Sequence, residues 1–369
     1  MRKSVSIIKE KKSGENRVIL TPKQVKLFAD AGYQVFVEKG AGAGVGISDT
    51  EYQAQGAEIV DTATAWTASD FILKYKPPVD DEFQYLSEGK TLCAVFHAEG
   101  NKELVQKLLD TKCTAYSYEF FRTPEGIFPL SVASSEIAGK VAVIYGAYHL
   151  QSHLGGSGVL LAPVVNVIPP KVLIIGHGNS GGAAARLAAA MGAQVTVLGT
   201  NRERLRAFQA TMPSGTRCLV NSHEVLEQEI ADADLVIGAI LISTYDTPAM
   251  LDEEMVKKMK KGSMVVDVTA GYGSGYMPSF DRSTTFENPV YEKFGVLHCK
   301  IDVLPLAYAT TTVSAMSQHL ASYLIELGEA VYDPATRNPT SEAGKIVENG
   351  EIIHPEVKRH MEFAQDAGH

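Results

Sequence analysis

Two groups of residues in this chain have the types and spacing that chemistry needs. The first lies in VLIIGHGNSGGAAARLAAAMGAQVTVLGTNRERL, where Gly176, Gly178 and Gly181 fall at G-x-G-x-x-G spacing. An apolar run leads in, an Ala-rich run leads out, and a second apolar run, QVTVL, follows at βαβ distance. In that context the glycines permit a tight turn and close backbone approach. Asn179, Ser180 and Gly181 then open a helix whose unpaired N–H groups suit a pyrophosphate. The ligand expected is a nicotinamide dinucleotide. In such units an acid commonly ends the second strand and binds the adenosine ribose hydroxyls. Here that place holds Gly199, followed by Thr200, Asn201, Arg202 and, one residue on, Arg204. Without the acid, and with donors and positive charge suited to a 2′-phosphate, the reading is NADP(H) preferred, NAD(H) also admitted. The same arginines also read as solvated helix residues beside a loosely held NAD.

The second group is basic and lies near the N-terminus: Arg17 in GENRVILTP, Lys76 in ILKYKPP and His97 closing TLCAVFH. Lys76 and His97 follow strand-like runs, and the carboxyl ends of strands in a βα domain are where ligand groups gather. Arg17 precedes a strand-to-helix junction, where a guanidinium can clamp a carboxylate through two bonds. Imidazole titrates near neutrality and suits proton transfer in either direction. Taken singly, each has a plainer reading, as a packed histidine or a solvated cation.

These residues need a frame. SVSIIK, YQVFVEK, FILKYK and TLCAVFH read as buried strands, and TPKQVKLFADAG as a helix opening at Thr21-Pro22 and closing at Gly32. From about Ser134, SSEIAGKVAVIYGAYHLQSHLGG reads as a long helix ending in a glycine-rich turn. KVLIIG, QVTVLG, RCLVNS, ADLVIGAI, GSMVVDV and VLHCKI then recur at the spacing of a doubly wound unit. A second long helix is expected over about 311–327, and the polar tail with GEIIHPEV is assigned to the first domain. The fold class is α/β: two Rossmann-like domains with mostly parallel sheets, joined by two long helices. Residues 1–133 plus 311–369 form the substrate domain and 134–310 the NAD(P)-binding domain.

At 369 residues the chain is long enough for two cores. A net charge of −9 without a Lys/Arg block argues against nucleic acid or an anionic membrane surface as partner. Cys93, Cys113, Cys218 and Cys299 are scattered, which speaks against a disulfide framework or a metal site. No run has signal-peptide or membrane-spanning character, so the cytoplasm is the expected compartment.

The trio brings a resemblance into view. ENRVILTPKQVKLFADAGYQVFVEKGAGAGVGISDTEY, ILKYKPP, SSEIAGKVAVIYGAYHL, GGSGVLL, the glycine loop, ADLVIGAILIS and MVVDV, in that order, resemble the alanine dehydrogenase and pyridine nucleotide transhydrogenase family over almost the whole chain. The resemblance implies a homo-oligomer in which Arg17 and Lys76 hold a substrate carboxylate and His97 is the acid/base group. It also implies that Ser135 contacts the cofactor. Two positions depart from the alanine dehydrogenase pattern: Gly271 stands at the place of an Asp, and Asp302 at the place of an Asn. Asp302 restores an acid to the site or merely orders the CKIDVLP turn. Tyr272, Tyr276 and Phe280, in the altered loop, read as a lid or as packed surface. The activity expected is NAD(P)H-dependent oxidation or reduction at the CH–NH bond of an amino acid or N-substituted amino acid, by imine reduction or reductive amination. The alternatives are alanine dehydrogenase proper and a non-catalytic NADP(H)-binding regulator, though a regulator has no need of the trio.

Overall fold

A computed structural model describes residues 3–240, 250–269 and 277–366. The chain divides into two compact units, Met1–Ser134 with Tyr308–His369, and Ser135–Ala307.

The first unit begins with β1 (Ser4–Ile7), α1 (Pro22–Asp30), β2 (Gln34–Glu38), α2 (Asp49–Gln53), β3 (Ala57–Val60), α3 (Thr62–Thr67), β4 (Phe71–Leu73), β5 (Thr91–Ala94), α4 (Lys102–Thr111) and β6 (Thr114–Ser117). Helix α5 (Pro129–His149) then carries the chain into the second unit. There follow β7 (Lys171–Ile175), α6 (Asn179–Ala190), β8 (Gln194–Gly199), α7 (Arg202–Gln209), β9 (Arg217–Val220), α8 (His223–Ala231), β10 (Leu235–Gly238), α9 (Glu253–Lys257), β11 (Met264–Asp267), β12 (Tyr291–Lys293) and β13 (Val296–Cys299). The chain returns to the first unit with α10 (Ala309–Tyr332), α11 (Pro339–Glu342), β14 (Lys345–Glu348), β15 (Glu351–Ile352) and α12 (Pro355–Asp366).

In the first unit the strand order is β15-β14-β6-β5-β4-β1-β2-β3, parallel from β6 through β3, with β14 and β15 added antiparallel. Strands buried on both faces read as unbroken apolar runs, which is why FIL and TLCA carry no alternation. The second sheet runs β12-β13-β11-β10-β7-β8-β9, parallel apart from β12. That order reverses direction at β7, the strand feeding the glycine loop, so the loop lies at the switch point where such sheets bind ligands.

Small residues let α5 seat closely in the second unit. A Cβ at Gly139 would overlap the Ser180 carbonyl, and one at Gly146 would run into the Leu235 side chain. Helix α5 therefore packs directly on the start of α6. Among the described residues no helix is long and apolar enough to cross a membrane. All four cysteines are free thiols.

Candidate active site

The first unit brings Arg17, Lys76 and His97 into one neighbourhood. His97 follows β5 in a left-handed conformation, φ 47° and ψ 47°, which non-glycine residues adopt uncommonly and which here turns both its N–H and its ring toward Glu119. The His97 backbone N–H donates to Glu119 Oε2 at 2.8 Å, and the ring Nδ1 lies 2.7 Å from Oε1. On the other side of the ring, Nε2 is 2.9 Å from Lys76 Nζ. Both ring nitrogens are thus engaged. With Nδ1–H donating to the carboxylate, Nε2 accepts from the Lys76 ammonium, or carries a proton toward a neutral Lys76 amine. One proton is shared along that contact.

The electrostatics favour sharing. Burial, then the nearby Arg17 charge, pull the Lys76 ammonium down to about 8, within reach of neutral-pH chemistry. Burial works against ionising Glu119, yet the His97 imidazole with its hydrogen bonds, aided by the Ser117 hydroxyl, brings the carboxyl down to about 2. Nearby Glu99 is pushed upward by burial and by the Glu119 charge.

Arg17 is only 3 % exposed. Its Nε and one terminal nitrogen form a forked pair with Glu15 at 2.7 and 2.6 Å, and its guanidinium lies over the Tyr75 ring at 4.1 Å. The two-point hold expected for a substrate carboxylate is, on the Nε side, taken by the chain's own Glu15. Substrate is left the other terminal nitrogen's edge, which makes no hydrogen bond among the described residues. Beneath this layer, Glu10 accepts the backbone N–H of Tyr75 at 2.7 Å and of Lys76 at 3.0 Å, while Lys74, fully buried, donates to Glu10 at 2.8 Å.

His97, Glu99 and Glu119 offer ligand atoms within 4.8 Å of one another. With both His97 nitrogens in hydrogen bonds, the imidazole has no lone pair left for a cation while those bonds last. A groove of about 900 Å³ between the start of α5 and α10, lined by Pro129, Thr311, Gln318 and Tyr323 among others, contains none of the trio.

In the second unit the glycine loop fits a dinucleotide on sterics. Gly176 has φ +103°, and a Cβ there would strike the Ala239 carbonyl; one at Gly181 would overlap the Gly176 carbonyl. At Gly178, by contrast, nothing lies within 4 Å of a Cβ position, leaving an open approach where a pyrophosphate is needed. Asn179 opens α6, and the Ser180 hydroxyl is buried without a hydrogen-bond partner among the described residues. Ser135 is half-buried on α5, one turn before the Gly139 contact with Ser180.

At the end of β8, Thr200, Asn201, Arg202 and Arg204 are all exposed. Asn201 also caps α7: its side-chain oxygen accepts from the Arg204 N–H at 2.9 Å, which leaves its amide nitrogen, the donor atom, for a ligand. Asp302 belongs to the second unit, is exposed, and accepts from the Ser283 hydroxyl at 3.2 Å. Phe280 is not a lid residue: it is buried in the second unit's core, edge-on to His298. Gly271, Tyr272 and Tyr276 lie outside the described residues.

Glu15 and Glu119 were not singled out from the sequence. Glu15 had a local signal, an acid two residues before Arg17. Glu119, in YSYEF, had none, because the fold alone places β6 beside β5.

Comparison with known proteins places these features in a family. The model for the N-terminal domain of alanine dehydrogenase/PNT matches residues 6–138, and that for the C-terminal domain matches 142–355. An alanine dehydrogenase of Methanococcus maripaludis is 37% identical over 357 residues, covering 96% of this chain and 95% of the relative. One from Bacillus subtilis is 36% identical over 362 residues, covering 97% and 95%. A solved L-alanine dehydrogenase superposes with a TM-score of 0.92 at 32% identity, covering 98% of this chain and 99% of that one. A transhydrogenase from Sinorhizobium meliloti shares the fold, with a TM-score of 0.80 at 24% identity over 95% and 99% of the two chains.

Proposed function

This chain belongs to the alanine dehydrogenase/PNT family, and on that premise we propose that it acts at the CH–NH bond of an amino acid or N-substituted amino acid, with NADPH preferred. Membership makes it an oxidoreductase enzyme; the substrate, the cofactor preference and a homo-oligomeric assembly are the proposal. The observation that carries it is the contact of His97 with Lys76 and Glu119, a proton-transfer pair held by a buried carboxylate.

The Gly176–Gly181 loop, with Ser180 and Ser135, would hold a dinucleotide by its pyrophosphate, and the nicotinamide it carries would supply hydride or accept it. The chain's own groups do the rest. Arg17 and Lys76 orient the substrate carboxylate, Arg17 through the guanidinium edge that Glu15 leaves open. His97 moves a proton between Nε2 and the substrate nitrogen or oxygen, and Lys76, near 8, restores or accepts it. Glu119 keeps Nδ1 protonated, so Nε2 remains the reactive nitrogen. Asp302, an exposed acid, is a further group for the amine end of the substrate.

Pyruvate, glyoxylate and 2-oxoglutarate, each supplied with ammonia and then with lysine or ornithine, separate the readings when reduced-nicotinamide absorbance is followed with NADPH and with NADH. Turnover only with an amino acid as amine supports an imine reductase of the opine type, consistent with Gly271 and Asp302 at the altered positions. A second reading, alanine dehydrogenase proper, is favoured by the names of the relatives. Turnover of pyruvate with ammonia establishes it. Absence of turnover on every combination, with cofactor still bound, would leave a dinucleotide-binding regulator.

A further inference from the structure

The second residue of the glycine loop, His177, has no part in the reading above. It folds against the end of β8, where the ribose-binding acid of an NAD site would stand. A Cβ at Gly199 would be 2.5 Å from His177 Nδ1 and 2.7 Å from Cε1. With the imidazole in this position, a side chain at 199 would have to displace it, so the histidine and the glycine form a matched pair. The ring also packs on Phe208 of α7, centroids 5.7 Å apart, and is half-buried.

We infer that His177 reads the 2′ position of the adenosine ribose, donating a hydrogen bond to a 2′-phosphate as an imidazolium beside Arg204. This rests on the proposed preference for NADP(H) and assigns that preference to a residue and a proton. In the free protein, burial and then the Arg204 charge hold the imidazole below its ordinary value, so near neutrality it is mostly uncharged. A phosphate dianion brought against it favours the charged form. NADPH binding then takes up a proton that NADH binding does not. Among the described residues the charge acting on the ring is that of Arg204 on α7, and Arg186 on α6 lies 5.6 Å from the Phe208 ring centroid. Neither changes charge across the relevant pH range, which leaves the imidazole as the titrating partner on the protein side.

The test is the dissociation constant of NADPH and of NADH, from reduced-nicotinamide fluorescence, between about pH 6 and about pH 8.5. In the wild-type protein the ratio Kd(NADPH)/Kd(NADH) is expected to rise with pH, by up to about tenfold per pH unit for one linked proton. In His177→Gln, which keeps bulk without the charge, that rise disappears and NADPH binding at the acidic end weakens on the order of tenfold. The 2′-phosphate's own ionisation, near pH 6, is common to both proteins and cancels in the comparison. A flat wild-type ratio, or the same rise in His177→Gln, overturns the inference; if NADPH is still bound more tightly, the preference survives on the arginines alone. Tighter binding of NADH at every pH removes the preference itself, and this inference with it. Should His177→Gln not fold, His177→Asn serves as the uncharged comparison in its place.

Discussion

Replacing Glu119 by Gln isolates what the carboxylate does for His97. The side chain keeps its shape, but its two oxygens now serve three donors: His97 Nδ1–H at 2.7 Å, the His97 backbone N–H at 2.8 Å and the Ser117 hydroxyl at 2.8 Å. An amide has one oxygen, so whichever way it is turned, an N–H of His97 faces an –NH2 group. The displacement of the Glu119 carboxyl from 4.5 to about 2 corresponds to roughly 3 kcal/mol of interaction with its surroundings. His97 is 36% exposed, and solvent there reduces the usable part to roughly 2 kcal/mol. Loss of that stabilisation from the transition state lowers kcat on the order of 30-fold. The assay is steady-state turnover with the best substrate from the panel, alongside NADPH binding by fluorescence. The expected result is a fall in kcat with KM for the oxo acid and Kd for NADPH nearly unchanged, because the carboxylate touches neither ligand. A kcat within about twofold of wild type would refute the claim that this carboxylate holds the reactive tautomer. A fall in kcat with a rise in KM and lost NADPH binding would point to collapse of the fold instead.

Three further outcomes follow from the same site. Because the Lys76 ammonium titrates at about 8, KM for the oxo acid should climb as pH rises through that value and the carboxylate loses a cation. Lys76→Arg, whose charge persists at high pH, should abolish the climb in a KM-against-pH series even if kcat drops. The depressed lysine also implies that the folded state binds fewer protons than the unfolded chain between about pH 8 and about pH 10.5. In denaturant titrations the stability difference between wild type and Lys76→Met should therefore change with pH across that window, wild type gaining relative to the variant, while the buried thiols and tyrosines with raised pKa values act alike in both proteins. Arg17→Lys keeps the charge but breaks the fork to Glu15 and the contact with Tyr75. For a pair this buried the cost in stability is about 3 kcal/mol, read as a lower denaturant midpoint, together with a higher KM; an unchanged midpoint would show that the fork contributes nothing.

Much of the frame was legible because periodicity and punctuation are local. The parallel strands of both units carried unbroken apolar runs, and the glycine loop announced its strand and helix. What escaped were β3, AEIV, β6, TAYS, β12, YEK, and β14, KIVE, whose mixed residues become strand only through pairing with β2, β5, β13 and β6. The site followed the same division. Arg17, Lys76 and His97 stood out by type, whereas Glu119 reaches His97 across 22 residues of sequence and had no local mark. Asn201 carried two signals at once, because an Asn before a helix serves as a cap as readily as a ligand. Phe280 misled because an aromatic among glycines reads as mobile until its neighbours, His298 and the second unit's core, are known.

The stretch KYK after β4 shows why residue type alone could not rank these cations. Lys74 and Lys76 are both nearly inaccessible, at 0 and 4 % exposure, and composition gives no reason to separate them. Their partners do. Lys74 is bracketed by two carboxylates, Glu10 at 2.8 Å and Glu82 at 3.3 Å, so its charge is matched inside the fold. Lys76 meets a histidine, and its neighbours include the cationic Arg17, so its charge is left undercompensated and its proton becomes transferable. Tyr75, between them, supports the Arg17 guanidinium from below. Glu10 ties the three together by accepting the backbone N–H of both Tyr75 and Lys76. A buried ion pair is weak evidence for stability in itself; here the Lys74–Glu10 pair fixes the peptide that aims Lys76. Its removal is accordingly expected to reach the chemistry through the backbone, because Glu10 also holds the Tyr75 and Lys76 N–H groups.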